Sequence, residues 1–164
     1  MRTFKEAIIR ETQRRIIGES IPRIKRCLSE LNEQEIWYKP NENSNSVGNL
    51  ILHLCGNVTQ WIGSGLGKRP DHRRRDGEFE EKGTLPTAML ITKLDQLVLL
   101  INDVLKDVSE EDLLRLHHVQ VYQETGLSIL IHVIEHFSYH TGQITYFTKW
   151  KKDMDMGYYP EDLG

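Results

Sequence analysis

The sequence has little of what marks secreted, membrane-spanning or nucleic-acid-binding proteins. It holds two cysteines, Cys27 and Cys55, which are too few for a disulfide framework and are typical of a reducing cytoplasm. Its apolar runs are only a few residues long, too short for a transmembrane helix or for the core of a signal peptide. Lys and Arg number 21 against 24 Asp and Glu, which argues against binding nucleic acid or a membrane surface through bulk charge. We therefore expect a cytoplasmic protein that binds neither.

Helical periodicity dominates what is present, and no stretch shows a convincing strand alternation. Apolar residues recur at spacings of three and four in four stretches, near residues 3–31, 46–62, 84–105 and 126–151. Gly18 and Pro22 interrupt the first stretch and predict a kink there. The 164 residues suit one domain. We expect a bundle over about residues 3–151, followed by a loose, polar C-terminal tail, residues 152–164. The alternative is that Tyr158 and Tyr159 hold this tail against the body.

A weak internal repeat relates the two halves of the chain. Residues 31–37 resemble residues 108–114, and residues 50–54 resemble residues 129–133. Each half is a helix, a short acidic turn, a loop, and a helix with a histidine inside an apolar run. Two such pairs predict an all-α, antiparallel four-helix bundle with pseudo-twofold symmetry. The long connection between the second and third helices, residues 68–83, has nearly balanced charges, and we expect it to be a solvated linker.

Four of the seven histidines lie inside predicted helices. His132, His136 and His140 follow one another at four-residue spacing, and His53 lies in the apolar second helix. Imidazoles four residues apart share a helical face at about 6 Å along the axis, within reach of one ion, whereas eight residues span about 12 Å. One pair together with His53 would make an open metal site. Burying several imidazoles is costly unless hydrogen bonds or a metal compensate, which favours such a site.

Spacing alone leaves two pairings on the fourth helix. His132 and His136, with Glu135 between them, match the His-x-x-Glu-His pattern of inverted zinc peptidases, in which the glutamate is the general base. The small size of the chain and its lack of a predicted sheet argue against that class. The other pair is His136 and His140, followed by residues 141–144, Thr-Gly-Gln-Ile.

The second pairing belongs to a wider resemblance. Residues 46–57, which surround His53, and residues 132–144 together resemble the DinB-like superfamily of four-helix bundles, and the likeness covers about residues 3–151. The run Arg-Arg-Arg-Asp-Gly-Glu-Phe at residues 73–79 resembles an uncharacterised subgroup of that superfamily. The resemblance implies a metal triad made of His53, His136 and His140. It makes His132 a supporting or structural neighbour.

The same resemblance sets expectations for function. Similar members bind a divalent ion, often zinc or nickel, and many form homodimers. Some relatives are thiol S-transferases that use bacillithiol or mycothiol, some are glutathione-dependent isomerases, and others are assigned as hydrolases. We expect a metal-dependent thiol S-transferase or hydrolase with a small-molecule substrate. The alternative is a non-catalytic metal-binding or stress-related interaction protein, and a general base or anion-binding group beside the open position would distinguish the two.

Other residues complete the set of candidates. Asn57 and Gln143 are placed to orient a water or a ligand imidazole. Glu135 lies about 100° around the helix from His136, which argues against a role as a general base beside the metal. Cys55 falls on the face opposite His53, which predicts a core residue. His72, His117 and His118 are expected to be solvated. The run Arg73 to Arg75 is expected to be a solvated or salt-bridged loop, with binding of an anionic substrate or a partner chain as the alternative.

Overall fold

The first bundle helix is continuous and changes its winding part-way. The computed structural model describes residues 3–159. Within it, α1 (Phe4–Gln13), a π-helical segment (Arg14–Ser20) and α2 (Ile21–Glu30) follow one another without a break. Gly18 lies inside the π-helical segment, and Pro22 lies in the first turn of α2. The irregularity predicted from these two residues therefore takes the form of a wider helical turn, a recognised cause of helix bending.

Three further long helices complete the bundle, with short elements between them. The second helix is α4 (Val47–Val58), extended by a π-helical segment (Thr59–Leu66). The remaining elements are α3 (Glu33–Ile36), α5 (Arg75–Glu80), α6 (Thr87–Leu105), α7 (Glu110–Leu114), β1 (Leu116–Val119), β2 (Tyr122–Thr125) and α8 (Gly126–Lys152). Their buried apolar side chains form one core, to which all four long helices contribute. No helix among residues 3–159 is both long enough and apolar enough to cross a bilayer.

The two short acidic turns of the repeat have the same local structure. Asn32 caps α3 and Ser109 caps α7, and each side chain accepts a hydrogen bond from the backbone of the third helical residue. That residue, Glu35 or Asp112, accepts a hydrogen bond from the cap backbone in return. Such reciprocal capping satisfies backbone donors that a helix start leaves free. The sequence repeat thus corresponds to a structural one at these turns.

Contacts between helices set their relative directions. In the first bundle helix, Gln13 donates to Asn102 Oδ1 at 2.9 Å, and Lys25 pairs with Asp95 at 2.5 Å. The later residue of the first helix, Lys25, thus contacts the earlier residue of α6, Asp95. These two helices are therefore antiparallel, as α4 and α8 also are at the histidines described below.

The second and third bundle helices run in the same direction. A Cβ built on Gly63 would lie 3.3 Å from Leu100, and one built on Gly67 would lie 2.7 Å from Val104. The later glycine thus lies beside the later α6 residue, as expected for parallel helices. Parallel neighbours cannot be joined by a short turn, which explains the long connection between them. The predicted all-α four-helix bundle is confirmed, with its helices running up, down, down and up.

A hairpin replaces the irregular stretch expected before the last helix. β1 and β2 pair antiparallel, with His117 opposite Glu124 and His118 opposite Gln123. Each strand has four residues, too few to show a clear alternation in the sequence. The turn uses Gln120 at φ 55° instead of the glycine or asparagine that usually signals a hairpin. The hairpin therefore had no recognisable sequence signal.

The C-terminal tail packs on the bundle as far as it is described. Met156 is buried, and the hydroxyl of Tyr158 lies 3.0 Å from Thr145 Oγ1 and 3.3 Å from Cys27 Sγ. Arg23 stacks over the rings of Tyr158 and its neighbour. The last five residues of the predicted tail, residues 160–164, lie outside the described part of the chain.

Candidate metal site

Three histidines from two antiparallel helices meet in the bundle. His53 comes from α4, and His136 and His140 come from α8; one ring nitrogen of each lies within 4.8 Å of the other two. The Nε2 atoms of His53 and His136 are 3.0 Å apart. The ring centroid of His140 lies 5.2 Å from that of His53 and 4.6 Å from that of His136. The structure thus brings together the three residues that the resemblance implied.

The start of α4 anchors the long connection over His53. Ser46 caps the helix in a reciprocal pair with Asn49. The Asn49 amide then donates to the backbone oxygens of Glu78 and Glu81, both at 2.9 Å. Because Asn49 lies one turn before His53 on α4, these bonds hold α5 directly above the histidine.

The connection places a carboxylate on His53. Glu78 Oε2 lies 3.0 Å from His53 Nδ1. Arg73 donates to both carboxylate oxygens of Glu78, from Nε at 2.8 Å and from Nη2 at 2.9 Å. Arg73 Nη2 also lies 3.1 Å from His53 Nδ1, but the ionised Glu78 carboxylate can only accept a hydrogen bond, so its contact with Nδ1 requires a proton on that nitrogen. We therefore assign the proton to Nδ1, which leaves Nε2 free to bind a metal.

The charge on Glu78 follows from these contacts. Burial alone would raise the pKa of its carboxyl, but hydrogen bonds from Arg73 and His53 outweigh burial and keep that pKa below its usual value. Glu78 is therefore an ionised acceptor at neutral pH. Of the two states expected for this run, Arg73 is salt-bridged, since it pairs with Glu78 and its side chain is 5 % exposed, whereas Arg74 and Arg75 are exposed.

Sequence reasoning missed the roles of Arg73 and Glu78, although one signal was present. Gly56 lies three residues after His53, and a Cβ there would overlap Glu78 Oε1 and lie 3.0 Å from Arg73 Nε. A glycine inside an apolar helix often marks such a close approach. The partner that approaches belongs to a distant segment, so the sequence could not name it.

His140 and His136 have different surroundings. His140 Nδ1 lies 2.7 Å from Gln143 Oε1, which accepts its proton and turns Nε2 toward the other rings. His136 Nδ1 is buried without a hydrogen-bond partner. Burial, with smaller effects of His140 and His53, lowers the pKa of His136 to about 3. Burial also lowers the pKa of His140, although the bond to Gln143 opposes it.

The donor set fits a divalent metal ion. Neutral imidazole is the form that binds metals, and both pKa shifts favour it. Two of the rings donate their second nitrogen to an oxygen, the usual support of a metal-ligating histidine. Zinc and nickel both accept imidazole ligands.

The other candidates lie outside this cluster. His132 stacks on Trp61 with ring centroids 3.8 Å apart, and its Nε2 is 3.5 Å from the Asn57 amide. Glu135 is exposed and lines a separate surface cavity. His132 also stacks on His136, with ring centroids 5.5 Å apart, but Glu135 is exposed on another surface, so the peptidase-like pairing lacks its general base. Burial raises the pKa of the Cys55 thiol to about 12, which argues against a nucleophilic role.

Of the three histidines expected at the surface, two are exposed and one is buried. His72 and His118 are exposed as expected. His117 is buried on the inner face of β1, and its Nε2 lies 2.7 Å from the backbone oxygen of Asp112. The expectation of a surface role for His117 is wrong because the hairpin turns it inward.

Comparisons with known proteins agree with the fold. A family model described as "protein of unknown function (DUF1572)" matches residues 8–158. The chain belongs to this DUF1572 family. No curated protein sequence matches the chain significantly.

Two solved structures share the architecture of the DUF1572 chain. A conserved protein from Enterococcus faecalis is 16% identical, has a TM-score of 0.69, and is matched over 91% of this chain and 97% of its own. A DinB-like protein, YjoA from Bacillus subtilis, is 16% identical with a TM-score of 0.66, over 91% of this chain and 94% of its own. At this identity the likeness is one of fold, and the fold is the one that the DinB-like resemblance implied.

We expect His53 to carry its proton on Nδ1 in the metal-free protein, because Glu78 accepts it. Long-range ¹H–¹⁵N NMR of labelled imidazoles reports this tautomer directly. Gly56→Ala displaces Glu78 and should mix the tautomers of His53. Gly77→Ala is a matched control, since a Cβ there has no atom within 4 Å. An Nε2–H tautomer in the native protein would contradict the assignment.

Acid should destabilise the metal-free protein through His136. Its pKa is about 3 in the folded chain against an ordinary value of 6.5. Between these values the unfolded chain binds more protons, so the free energy of unfolding falls as the pH drops below about 6.5, by at most about 1.4 kcal/mol per pH unit for one group. Urea unfolding of His136→Asn should show a flatter pH dependence than the native protein. The exposed control His118→Asn should not, and equal slopes for the native and His136→Asn proteins would refute the effect.

Proposed function

We propose that this DUF1572 protein binds one divalent ion, zinc or nickel, through His53, His136 and His140. The observation that carries the proposal is the convergence of three imidazoles, two of them oriented by Glu78 and Gln143. Three protein ligands leave a coordination position free, which is typical of catalytic rather than structural zinc sites.

The reaction that these residues support best is transfer of a low-molecular-weight thiol, such as bacillithiol, to an electrophilic small molecule. An ion held by neutral ligands lowers the pKa of a thiol or a water at its open position. In the transfer, the sulfur forms a bond to carbon, the leaving group departs with its electron pair, and the thiol proton passes to solvent.

The chain's own residues favour a thiol over water as the nucleophile. Hydrolysis at such a site commonly uses a carboxylate as general base. Glu78 is committed to His53 and Arg73, and Glu135 is exposed elsewhere. A thiol ionises far more readily than water and has less need of a base. Hydrolysis is therefore the less supported reaction, and a non-catalytic metal-binding protein is the alternative class.

Aromatic rings flank the histidines. The Phe79 ring centroid lies 4.9 Å from that of His53, and the Tyr139 centroid lies 5.0 Å from that of His140. Phe79 is half-buried and covers one side of His53, whereas Tyr139 is exposed.

We also propose that the protein forms the homodimer that the family resemblance implies. Apolar side chains are exposed at the hairpin end of the bundle, with Leu114 66%, Leu116 63% and Val121 84% exposed. A group of exposed apolar side chains at one end is a feature of interaction surfaces.

Metal binding is tested by calorimetry on protein freed of metal by a chelator. We expect one equivalent of zinc or nickel per chain. His53→Ala and His140→Ala each remove one of three ligands and should weaken binding by about 100-fold or more, because changing a residue that only supports a ligand already costs about 10- to 100-fold. His118→Ala is the exposed control and should bind as the native protein does. Sub-stoichiometric binding, or native affinity in His53→Ala, would refute the site.

The same preparations decide between enzyme and metal-binding protein. Metal-loaded protein is incubated with bacillithiol or other small thiols and a panel of electrophiles, and conjugates are followed by mass spectrometry. Metal-dependent conjugation supports the transferase. Stoichiometric metal without any conjugation would exclude the transferase on that panel and favour the non-catalytic alternative.

A further inference from the structure

A cavity of about 450 Å³ lies between the start of α4 and the last turns of α8. Its apolar walls are Val47 and Leu50 from α4 and Tyr146, Phe147 and Trp150 from α8. Small-molecule sites in proteins are concave, largely apolar and commonly 300–1,000 Å³ in volume. The cavity falls within this class.

The cavity lies about one helical turn from the three histidines, which are not among the described residues that line it. Leu50 precedes His53 by three residues, and Gln143 follows His140 by three, which is a rise of about 4.5 Å on each helix. Gln143 is itself part of the cavity wall, and its Oε1 lies 2.7 Å from His140 Nδ1. Because α4 and α8 are antiparallel, the cavity is the next position along the seam that holds the histidines.

The lining selects against charge. No Asp, Glu, Lys or Arg is among the described residues that line the cavity, and its polar rim consists of the neutral side chains of Asn43, Ser44 and Asn45. A different cavity, behind Glu78, is lined by charges of both signs, among them Arg74, Lys93 and Glu81. A charged group in the first cavity would lose hydration without an ion partner, whereas a flat apolar group would pack on aromatic rings.

The walls of the cavity are formed before any ligand arrives. In the rim, Asn41 Oδ1 accepts hydrogen bonds from the Asn43 backbone at 3.0 Å and from the Ser44 hydroxyl at 2.9 Å. The Phe147 ring packs against Tyr38 and Trp150, with centroids 6.3 Å and 5.9 Å away. Binding of a ligand therefore loses little conformational entropy in the residues of the site.

We infer that this cavity binds an uncharged aromatic or similarly flat apolar part of the substrate, while the reacting group of that substrate lies at the three histidines. The position of the reacting group rests on the proposed metal site, whereas binding of the aryl group in the cavity does not. It names the substrate class as small molecules that carry an uncharged aryl group.

The first test uses metal-free protein and the probe 2-phenylethanol, followed by NMR. We expect saturable shifts at the Trp150 indole, the Gln143 amide and the methyls of Val47 and Leu50. The charged analogues phenylacetate and 2-phenylethylamine should bind at least fivefold more weakly. Trp150→Ala should weaken the probe at least fivefold, and Leu99→Ala, an equally surface-exposed control on α6, should not.

Several outcomes would overturn the aryl cavity. These are the absence of saturable shifts, unchanged binding in Trp150→Ala, and a preference for phenylacetate with shifts at Lys93. A fourth is loss of probe binding as protein concentration rises, which would show that a second copy of the chain covers Trp150.

The second test links the cavity to the histidines. In zinc-loaded protein, 2-phenylethanethiol should bind at least tenfold more tightly than 2-phenylethanol, and His136→Ala should abolish this difference. Bound zinc without a gain for the thiol would overturn the link and leave the metal site intact. If the native protein binds no zinc, the proposed function and the link both fail, and the first test alone decides on the aryl cavity.

Discussion

A buried ion pair between Arg73 and Glu78 holds the site in its arrangement. The two side chains are 5% and 10% exposed, and charges so far from water are stable only when every partner is present. The Glu78 carboxylate accepts from both Arg73 and His53, while the third guanidinium nitrogen donates to Gln60 Oε1 at 2.9 Å. This ion pair thus joins the segment of residues 68–83 to α4 and to the π-helical segment that follows α4.

Gln60 extends this connection to the rest of the fold. Its Nε2 donates to Asp71 at 2.7 Å, and its Oε1 also accepts from Gln120 in the hairpin turn at 2.5 Å. The π-helical segment, the connection and the hairpin are therefore joined through one amide. Removing one member of such a pair leaves an uncompensated buried charge, which typically costs about 3–5 kcal/mol. The same interactions that stabilise this end of the bundle also orient His53, so stability and the ligand geometry are coupled.

Short-range sequence patterns were sufficient to predict the long helices, the repeated acidic turns and the shared face of two histidines. Apolar spacing of three and four predicts the long helices, and two capping boxes reproduce the sequence repeat. Four-residue spacing places His136 and His140 on one face of α8, although it could not exclude His132. The structure separates them, since His132 stacks on Trp61 and the other two meet His53.

The features that the sequence did not predict depend on distant segments. Whether Arg73 is solvated or salt-bridged depends on the position of Glu78 and on the space left by Gly56, and neither is visible in the charge balance of residues 68–83. His117 becomes buried through a hairpin whose turn lacks the usual residues. The parallel direction of the two middle helices is a property of packing, which explains why the length of the connection alone did not reveal it.

The central claim is that three imidazoles, one of them held by Glu78, surround one ion with an open position. Anomalous diffraction at the zinc edge from crystals of zinc-loaded protein tests it most directly. The account predicts one peak about 2.0–2.1 Å from a ring nitrogen of each of His53, His136 and His140, with Glu78 still on His53 Nδ1. A peak that includes His132, or that takes Glu78 as a direct ligand, would contradict it.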